Sequence, residues 1–328
     1  MNLASQIVPG RYAVIGGSGL IGTHFLAAMA NQPGVKVTAI SCSRTLQIEA
    51  PNIRHVQLDG LVPGAFDTVL KNIDIVVCCA GVLASTRVLD AEKVNTVFTN
   101  IKLSINIIEA IHKAHCSQVI WISSTTGFPE SSAPLTELQM FHGDPPAHWF
   151  GIGWSYRFFE KQCAWLTINK PNALSVTILR PTMVYGEYQD FSSKNTHFLP
   201  SFIKSVVNRE CPIALNGAGE IKRELIYAGD VARAIVMVTK MPIGFRAYNI
   251  SGGTPMSLAE YLDMLIEIDG FKNPQIDIGV LTEPIKNNLQ IDCSLAFHEI
   301  GFKPQMKLAE GLERLISWYR KQRHLSGR

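Results

Sequence analysis

Apolar residues fall along the chain in short blocks separated by longer amphipathic stretches, and the alternation holds from about residue 12 to residue 180. The blocks at 12–15, 36–40, 54–58, 74–79, 118–123 and 175–180 have strand length. Some are apolar at every position, Ile75-Val76-Val77-Cys78-Cys79 most clearly. Such a strand belongs inside a sheet covered on both faces. Between the blocks, 20–31, 98–115 and 150–169 carry helical spacing, with Pro171 placed to end the last of them. Strand and helix in alternation predict an α/β fold with a doubly wound parallel sheet.

The texture changes after about residue 185, where loops such as Asn216-Gly217-Ala218-Gly219 and Ser251-Gly252-Gly253 appear. We expect 1–185 to form the sheet domain, with segments near 225–250 returning to it, and 186–328 to form mainly a smaller lobe. There, Ser257-Leu258-Ala259-Glu260 is a capping box that opens a helix to about Ile268, stopped by Gly270. A last helix covers roughly 308–322.

Composition narrows the partners. With 328 residues and 47% hydrophobic content, the chain can bury a large core. The net charge is only +3, and no basic block interleaves with aromatics, so nucleic acid is not an expected ligand. The run Arg320-Lys321-Gln322-Arg323 reads as a solvated helix end favoured by the helix dipole. No apolar run reaches the ~18 residues of a membrane span, and the N-terminus lacks the pattern of a signal sequence. Seven cysteines without paired spacing suit a reducing cytoplasm and predict no metal site.

The candidate chemistry begins at the first strand. Tyr12 to Ile15 runs into Gly16-Gly17-Ser18-Gly19-Leu20-Ile21-Gly22, and a helical pattern follows. Strand, glycine turn and helix N-terminus together form a seat for a dinucleotide pyrophosphate. Gly16 suits the tight turn, Gly19 a close backbone approach to the phosphates, and Gly22 close packing of helix on strand. The second strand ends Ile40-Ser41-Cys42-Ser43-Arg44. An acid there would bind the ribose 2′-hydroxyl of NAD, and none is present. Ser43 and Arg44 suit a 2′-phosphate instead, so NADP is mildly preferred to NAD; the alternative is a surface arginine.

In this order the motifs resemble the extended short-chain dehydrogenase/reductases, specifically the NAD-dependent epimerase/dehydratase family acting on nucleotide sugars. The resemblance covers nearly the whole chain. It implies a Rossmann fold in which Gly16, Gly19, Leu20, Ile21 and Gly22 hold the cofactor. Asp59 would contact the adenine, and Ala80 and Gly81 would lie beside the cofactor. Ile122-Ser123-Ser124-Thr125 matches the strand that carries the catalytic Ser/Thr, which implies a catalytic role for Ser124 and substrate contact for Thr125. Leu179-Arg180-Pro181-Thr182-Met183-Val184-Tyr185-Gly186 resembles the sixth-strand signature. Arg223-Glu224-Leu225-Ile226-Tyr227 resembles the segment whose arginine grips substrate phosphate. Family members often dimerise through the helices corresponding to 98–115 and 150–169.

The family's chemistry uses a Tyr-x-x-x-Lys pair, in which the lysine lowers the tyrosine pKa. Here the helix reads Gly151-Ile152-Gly153-Trp154-Ser155-Tyr156-Arg157-Phe158-Phe159-Glu160. Aligned on Gly153, Ser155 and Glu160, the tyrosine position holds Ile152 and the lysine position holds Tyr156. Lys161 is five residues past Tyr156, about 140° around the helix, where a spacing of four gives about 40°. The usual pair is therefore absent. Met183 and His197 stand where the family usually has asparagines that bind substrate.

Several roles stay open at this stage. Ser124 and Thr125 either bind a substrate oxygen or satisfy a strand end. Tyr156 is, with Ser124, a candidate catalytic proton donor; it either lines the cofactor site or packs in the core. His142, His148 and His197 are candidate general acids, and Asn100 either supports the site through water or faces solvent. The expected activity is an atypical NAD(P)-dependent oxidoreductase, epimerase or dehydratase on a nucleotide sugar or related small molecule. The alternatives are a non-redox isomerase, lyase or cyclase, and a silent dinucleotide-binding protein.

Overall fold

A computed structural model of the chain describes residues 6–82, 90–169, 174–192, 197–216, 219–279 and 289–325. The first half runs β1 (Gly10–Ile15), α1 (Leu20–Met29), β2 (Val35–Ser41), β3 (Ile53–Gln57), α2 (Asp67–Leu70), β4 (Ile75–Cys78), α3 (Asp90–Lys113), β5 (Gln118–Ile122) and α4 (Phe150–Asn169). Then follow β6 (Ser175–Pro181), β7 (Met183–Tyr185), α5 (Phe198–Val207), β8 (Ile213–Asn216), β9 (Lys222–Arg223), β10 (Leu225–Tyr227), α6 (Ala228–Met237) and β11 (Gly244–Ile250). The chain closes with β12 (Met256–Ser257), α7 (Leu258–Asp269), β13 (Ile276–Gly279), α8 (Ser294–Ile300) and α9 (Leu308–Leu325).

Seven strands form one parallel sheet in the order β11-β6-β5-β4-β1-β2-β3. The strand order reverses at β1, between β4 and β2, and a ligand crevice opens at such a switch point. Alternation along β1 sends Tyr12 and Val14 to one face and Ala13 and Ile15 to the other. The first face packs Phe25, Leu26 and Met29 of α1 with Val231 and Ile235 of α6; the second packs Ile107 and Ile111 of α3 with Cys163 and Leu166 of α4. A third core lies apart, among Leu199, Phe202, Leu262, Leu265, Leu312 and Leu315 of α5, α7 and α9.

The structure refines several expected boundaries. Helix α1 stops at Met29 because Ala30 leaves helical geometry and Asn31 turns into the left-handed region at φ 59°. Helix α3 is already formed at Asp90. Of the segment expected to return to the sheet, β11 does so as an edge strand, whereas β10 pairs with β7 and α6 covers α1. The capping box forms as read: Ser257 Oγ accepts from Glu260 N at 3.1 Å, its N–H donates to the Glu260 carboxylate at 2.6 Å, and Gly270 closes α7 at φ 71°. Pro171, Gly217 and Ala218 lie outside the described residues. Among those described, no helix is long and apolar enough to cross a membrane, and no His/Cys/Asp/Glu cluster could hold a metal.

Candidate active site

The glycine loop sits at the switch point, at the carboxyl end of β1. Gly16 adopts φ 89°, and a Cβ there would lie 2.7 Å from Ala80 N. A Cβ on Gly22 would lie 2.2 Å from Gly16 O, so the helix start is pressed against the strand end. The amides of Gly16 and Gly17 both donate to Ile40 O, which joins the loop to the end of β2. The N-cap Gly19 supplies no side-chain acceptor, and the first turn of α1 has no acid. The first intrahelical bond runs from Thr23 N to Gly19 O. The amides of Leu20, Ile21 and Gly22 precede it, and helix geometry leaves such groups to another acceptor. A diphosphate fits this cradle in shape and charge.

The neighbouring strands are parallel, so their carboxyl ends lie at the same edge of the sheet as the loop. After β2, Ser41 Oγ donates to Arg44 O, while Ser43 and Arg44 are exposed. Asp59 is exposed two residues past β3, and its Oδ1 accepts from Leu61 N. After β4 come half-buried Ala80 and exposed Gly81. Asn100 does not face solvent. It is buried and clamps the backbone of Val82, accepting from Val82 N at 2.8 Å and donating to Val82 O at 2.9 Å.

After β5, half-buried Ser124 caps a short 3-10 turn over Thr125–Gly127. Its Oγ accepts from Thr126 N at 3.1 Å and shares a short hydrogen bond with the Thr126 hydroxyl. Ile152, on the helix α4 that packs against this turn, is buried. One turn on, Tyr156 packs against a cluster of Phe128, Leu135 and Met140, against which Phe141, Leu289 and Ile291 also pack. Burial pushes its phenol pKa up, opposite to what an acid–base tyrosine needs near neutrality. Lys161 is exposed and lies over the Phe141 ring at 4.0 Å. His142 and His148 are exposed.

A buried polar chain supports the serine turn. Ser123 Oγ donates to Glu160 Oε1 at 2.6 Å, and Arg180 Nη2 donates to Glu160 Oε2 at 2.6 Å. The two charged side chains are 1% and 2% exposed. Arg180 also donates to Glu137 O, and the Glu137 carboxylate accepts from Asn249 N at 2.8 Å. Asn249 Nδ2 donates to both Leu135 O and Asp292 O. Burial outweighs these contacts and raises the Glu137 pKa. The sequence did carry a signal for the pair. Arg180 is an arginine in a strand buried at every position, and Glu160 lies on the packed side of α4.

The small lobe contributes a cationic corner. Half-buried His197 N-caps α5, whose first turn has no acid. Burial and then the charge of Arg223 lower its pKa, which keeps the imidazole neutral and places the two residues together. Arg223 is half-buried on β9, and withdrawal from water lowers its own pKa. Half-buried Met183 on β7 packs at the edge of the same lobe's core. Glu224, raised by burial, accepts from Ser251 Oγ at 2.6 Å and Ile291 N at 3.1 Å. His24 of α1 meets Tyr227 edge-on at 5.2 Å, which joins the glycine-loop helix to the Arg223 segment.

Sheet, switch point and glycine cradle define a Rossmann-type α/β protein with an added lobe. A model of the NAD dependent epimerase/dehydratase family matches residues 12–251. The chain belongs to that family. It is similar to a putative GDP-L-fucose synthase 2 of Arabidopsis thaliana, 24% identical with 67% of each chain covered. It is also similar to the dTDP-D-glucose 4,6-dehydratase of Homo sapiens, 24% identical over 97% of this chain and 93% of the relative. The fold is shared with a UDP-glucuronic acid 4-epimerase from Bacillus cereus, solved with UDP-glucuronic acid and NAD: TM-score 0.82, 22% identity, 95% of this chain and 99% of the other.

Proposed function

We propose that this chain holds a nicotinamide dinucleotide against Gly16–Gly22 and a nucleotide sugar between the sheet and the smaller lobe, mainly 186–328, and that it transforms the sugar without a Tyr–Lys pair. The observation that carries this is the joining of two anion seats through one helix. The α1 cradle fits a diphosphate, and His24 on α1 packs on Tyr227, four residues beyond Arg223. The relatives named above, all of them nucleotide-sugar proteins by name, support the substrate class.

A bound nicotinamide supplies reversible hydride acceptance. This chain's residues supply the rest. The Ser124 and Thr126 hydroxyls, already linked, orient a sugar oxygen at the end of β5. Arg223 binds a substrate phosphate from a site where reduced hydration strengthens the attraction. Tyr156, whose burial keeps the phenol protonated, acts as a wall or a hydrogen-bond donor and not as a base. Ile152 makes the adjoining wall apolar. Those last two features favour a second reading, a non-redox reaction or a silent binding protein on the same scaffold.

The test is incubation of the purified chain with NAD or NADP and UDP-, dTDP- and GDP-hexoses, followed by mass spectrometry of the products. Arg223→Ala is expected to raise KM about tenfold with little change in kcat, as loss of uniform binding does. Ser124→Ala is expected to lower kcat. Absence of turnover together with tight sugar-nucleotide binding would favour the second reading.

We also propose a homodimer through α3 and α4. Val94, Phe98 and Ile105 on α3 and Trp154, Phe158, Trp165 and Ile168 on α4 are exposed, and the two helices pack side by side. So much exposed aromatic surface marks an interface. The double change Phe158→Glu with Trp165→Glu is expected to give a monomer by light scattering, with the far-ultraviolet spectrum preserved. An unchanged mass would count against this interface.

Which dinucleotide is taken turns on the end of β2. An unopposed Arg44 would suit the 2′-phosphate of NADP.

A further inference from the structure

Arg44 is not unopposed. Its Nη2 donates to Asp190 Oδ2 at 2.5 Å, from a loop 146 residues further along the chain. We propose that Asp190, through Arg44, makes the chain select the 2′-hydroxyl of NAD over the 2′-phosphate of NADP. The inference rests on the reading that the glycine cradle holds a nicotinamide dinucleotide.

The carboxylate missing from the end of β2 thus arrives from the segment after β7. That segment is anchored at several points. Glu187 Oε2 accepts from Tyr227 OH at 2.7 Å, and its carbonyl lies 3.1 Å from His24 Nε2. Tyr188 holds a left-handed conformation at φ 69° and packs its ring edge-on to His24 at 5.5 Å. Asp190 Oδ1 accepts from Ser192 N at 2.8 Å and Ser192 Oγ at 2.7 Å, which aims Oδ2 at the guanidinium. Burial would raise the Asp190 pKa, but Ser192 and Arg44 together outweigh it and hold the group ionised.

Two consequences follow for a ribose lying at the end of β2. The pair has no net charge, so a 2′-phosphate finds no unmatched cation there. A phosphate near Arg44 would also come close to a fixed carboxylate, whereas a hydroxyl can donate to it. The pair spans from the β2 end to the β7 loop, and the glycine loop with its helix touches both sides: Gly17 N of the loop donates to Ile40 O, and a Cβ on Gly186 would lie 3.2 Å from Nε2 of His24 on α1. Selectivity is therefore assigned to a residue far in sequence from the strand end where such an acid usually stands.

The test is titration of the full chain with NADH and with NADPH, followed by tryptophan quenching and nicotinamide fluorescence. Wild type is expected to bind NADH more tightly by about tenfold or more. Asp190→Asn is expected to move the ratio about tenfold toward NADPH, mainly by tightening NADPH. Asp190→Glu is expected to keep the wild-type preference. Arg44→Ala on the Asp190→Asn background is expected to abolish the gained NADPH affinity. A wild type that prefers NADPH, or an Asp190→Asn ratio equal to wild type, would overturn the proposal while leaving the dinucleotide reading intact. A wild type that binds neither nucleotide would overturn both.

Discussion

Glu160→Ala is expected to destabilise the chain by about 3–5 kcal/mol, the range for removing one partner of a buried ion pair. The size follows from what the change strands. Arg180, 2% exposed, keeps its bond to Glu137 O but loses every hydrogen bond to the Glu160 carboxylate. Ser123 Oγ loses its acceptor in the same stroke. The network links β5, α4, β6 and β11, so the loss spreads to the turn that presents Ser124. Urea unfolding followed by tryptophan fluorescence measures the effect. The paired change Glu160→Leu with Arg180→Met, which removes both charges, is expected to recover part of the loss, because the penalty is that of an uncompensated charge. A Glu160→Ala loss below about 1 kcal/mol, the scale of an exposed pair, would show that the pair is not buried in solution.

Gly22→Ala is expected to abolish dinucleotide binding. One methyl would lie 2.2 Å from Gly16 O and 2.9 Å from Gly17 Cα, both of them backbone atoms that cannot rotate away. The start of α1 must move off β1, and the amides that form the cradle move with it. We expect a loss of affinity of at least about a hundredfold, with a stability cost of about 1–3 kcal/mol, as for overpacking elsewhere. Calorimetric titration with NADH and a thermal melt separate the two effects. Affinity within a few-fold of wild type would mean that the cradle is not the dinucleotide seat.

The central strands were legible because a parallel strand covered on both faces is apolar at nearly every position, as β4 is, whereas β3, with Arg54, His55 and Gln57 at the sheet edge, shows the pattern least. The edge strand β11 was harder to see. Gly244, Phe245, Arg246 and Ala247 are only partly buried, and the strand enters after a long excursion through the lobe. The glycine cradle could be read because its spacing falls between a strand and a helix that are both local in sequence. The reading that the Tyr–Lys pair is missing rests on helical spacing within one element, so the sequence could raise it without any tertiary contact. What the sequence concealed were contacts between distant segments. Nothing near Arg44 announces Asp190, and nothing near Asn100 announces the backbone of Val82. Tyr156 could not be assigned because its environment is built from Leu135, Phe141 and Ile291, residues scattered over half the chain.

The strand-like contact between Leu135 and Ile291 has a bearing on how the protein is made. Leu135 N donates to Gln290 O, Asp292 N donates to Leu135 O, and Ile291 N donates to buried Glu224. The walls around Tyr156 and the partners of Glu224 and Asn249 thus wait for residues 289–292. Synthesis proceeds from the N-terminus at about 5–20 residues per second. The sheet strands from β1 to β6 leave the ribosome well before that segment exists. The wall opposite the serine turn can therefore be completed only among the last acts of synthesis, after the strands of the sheet have emerged.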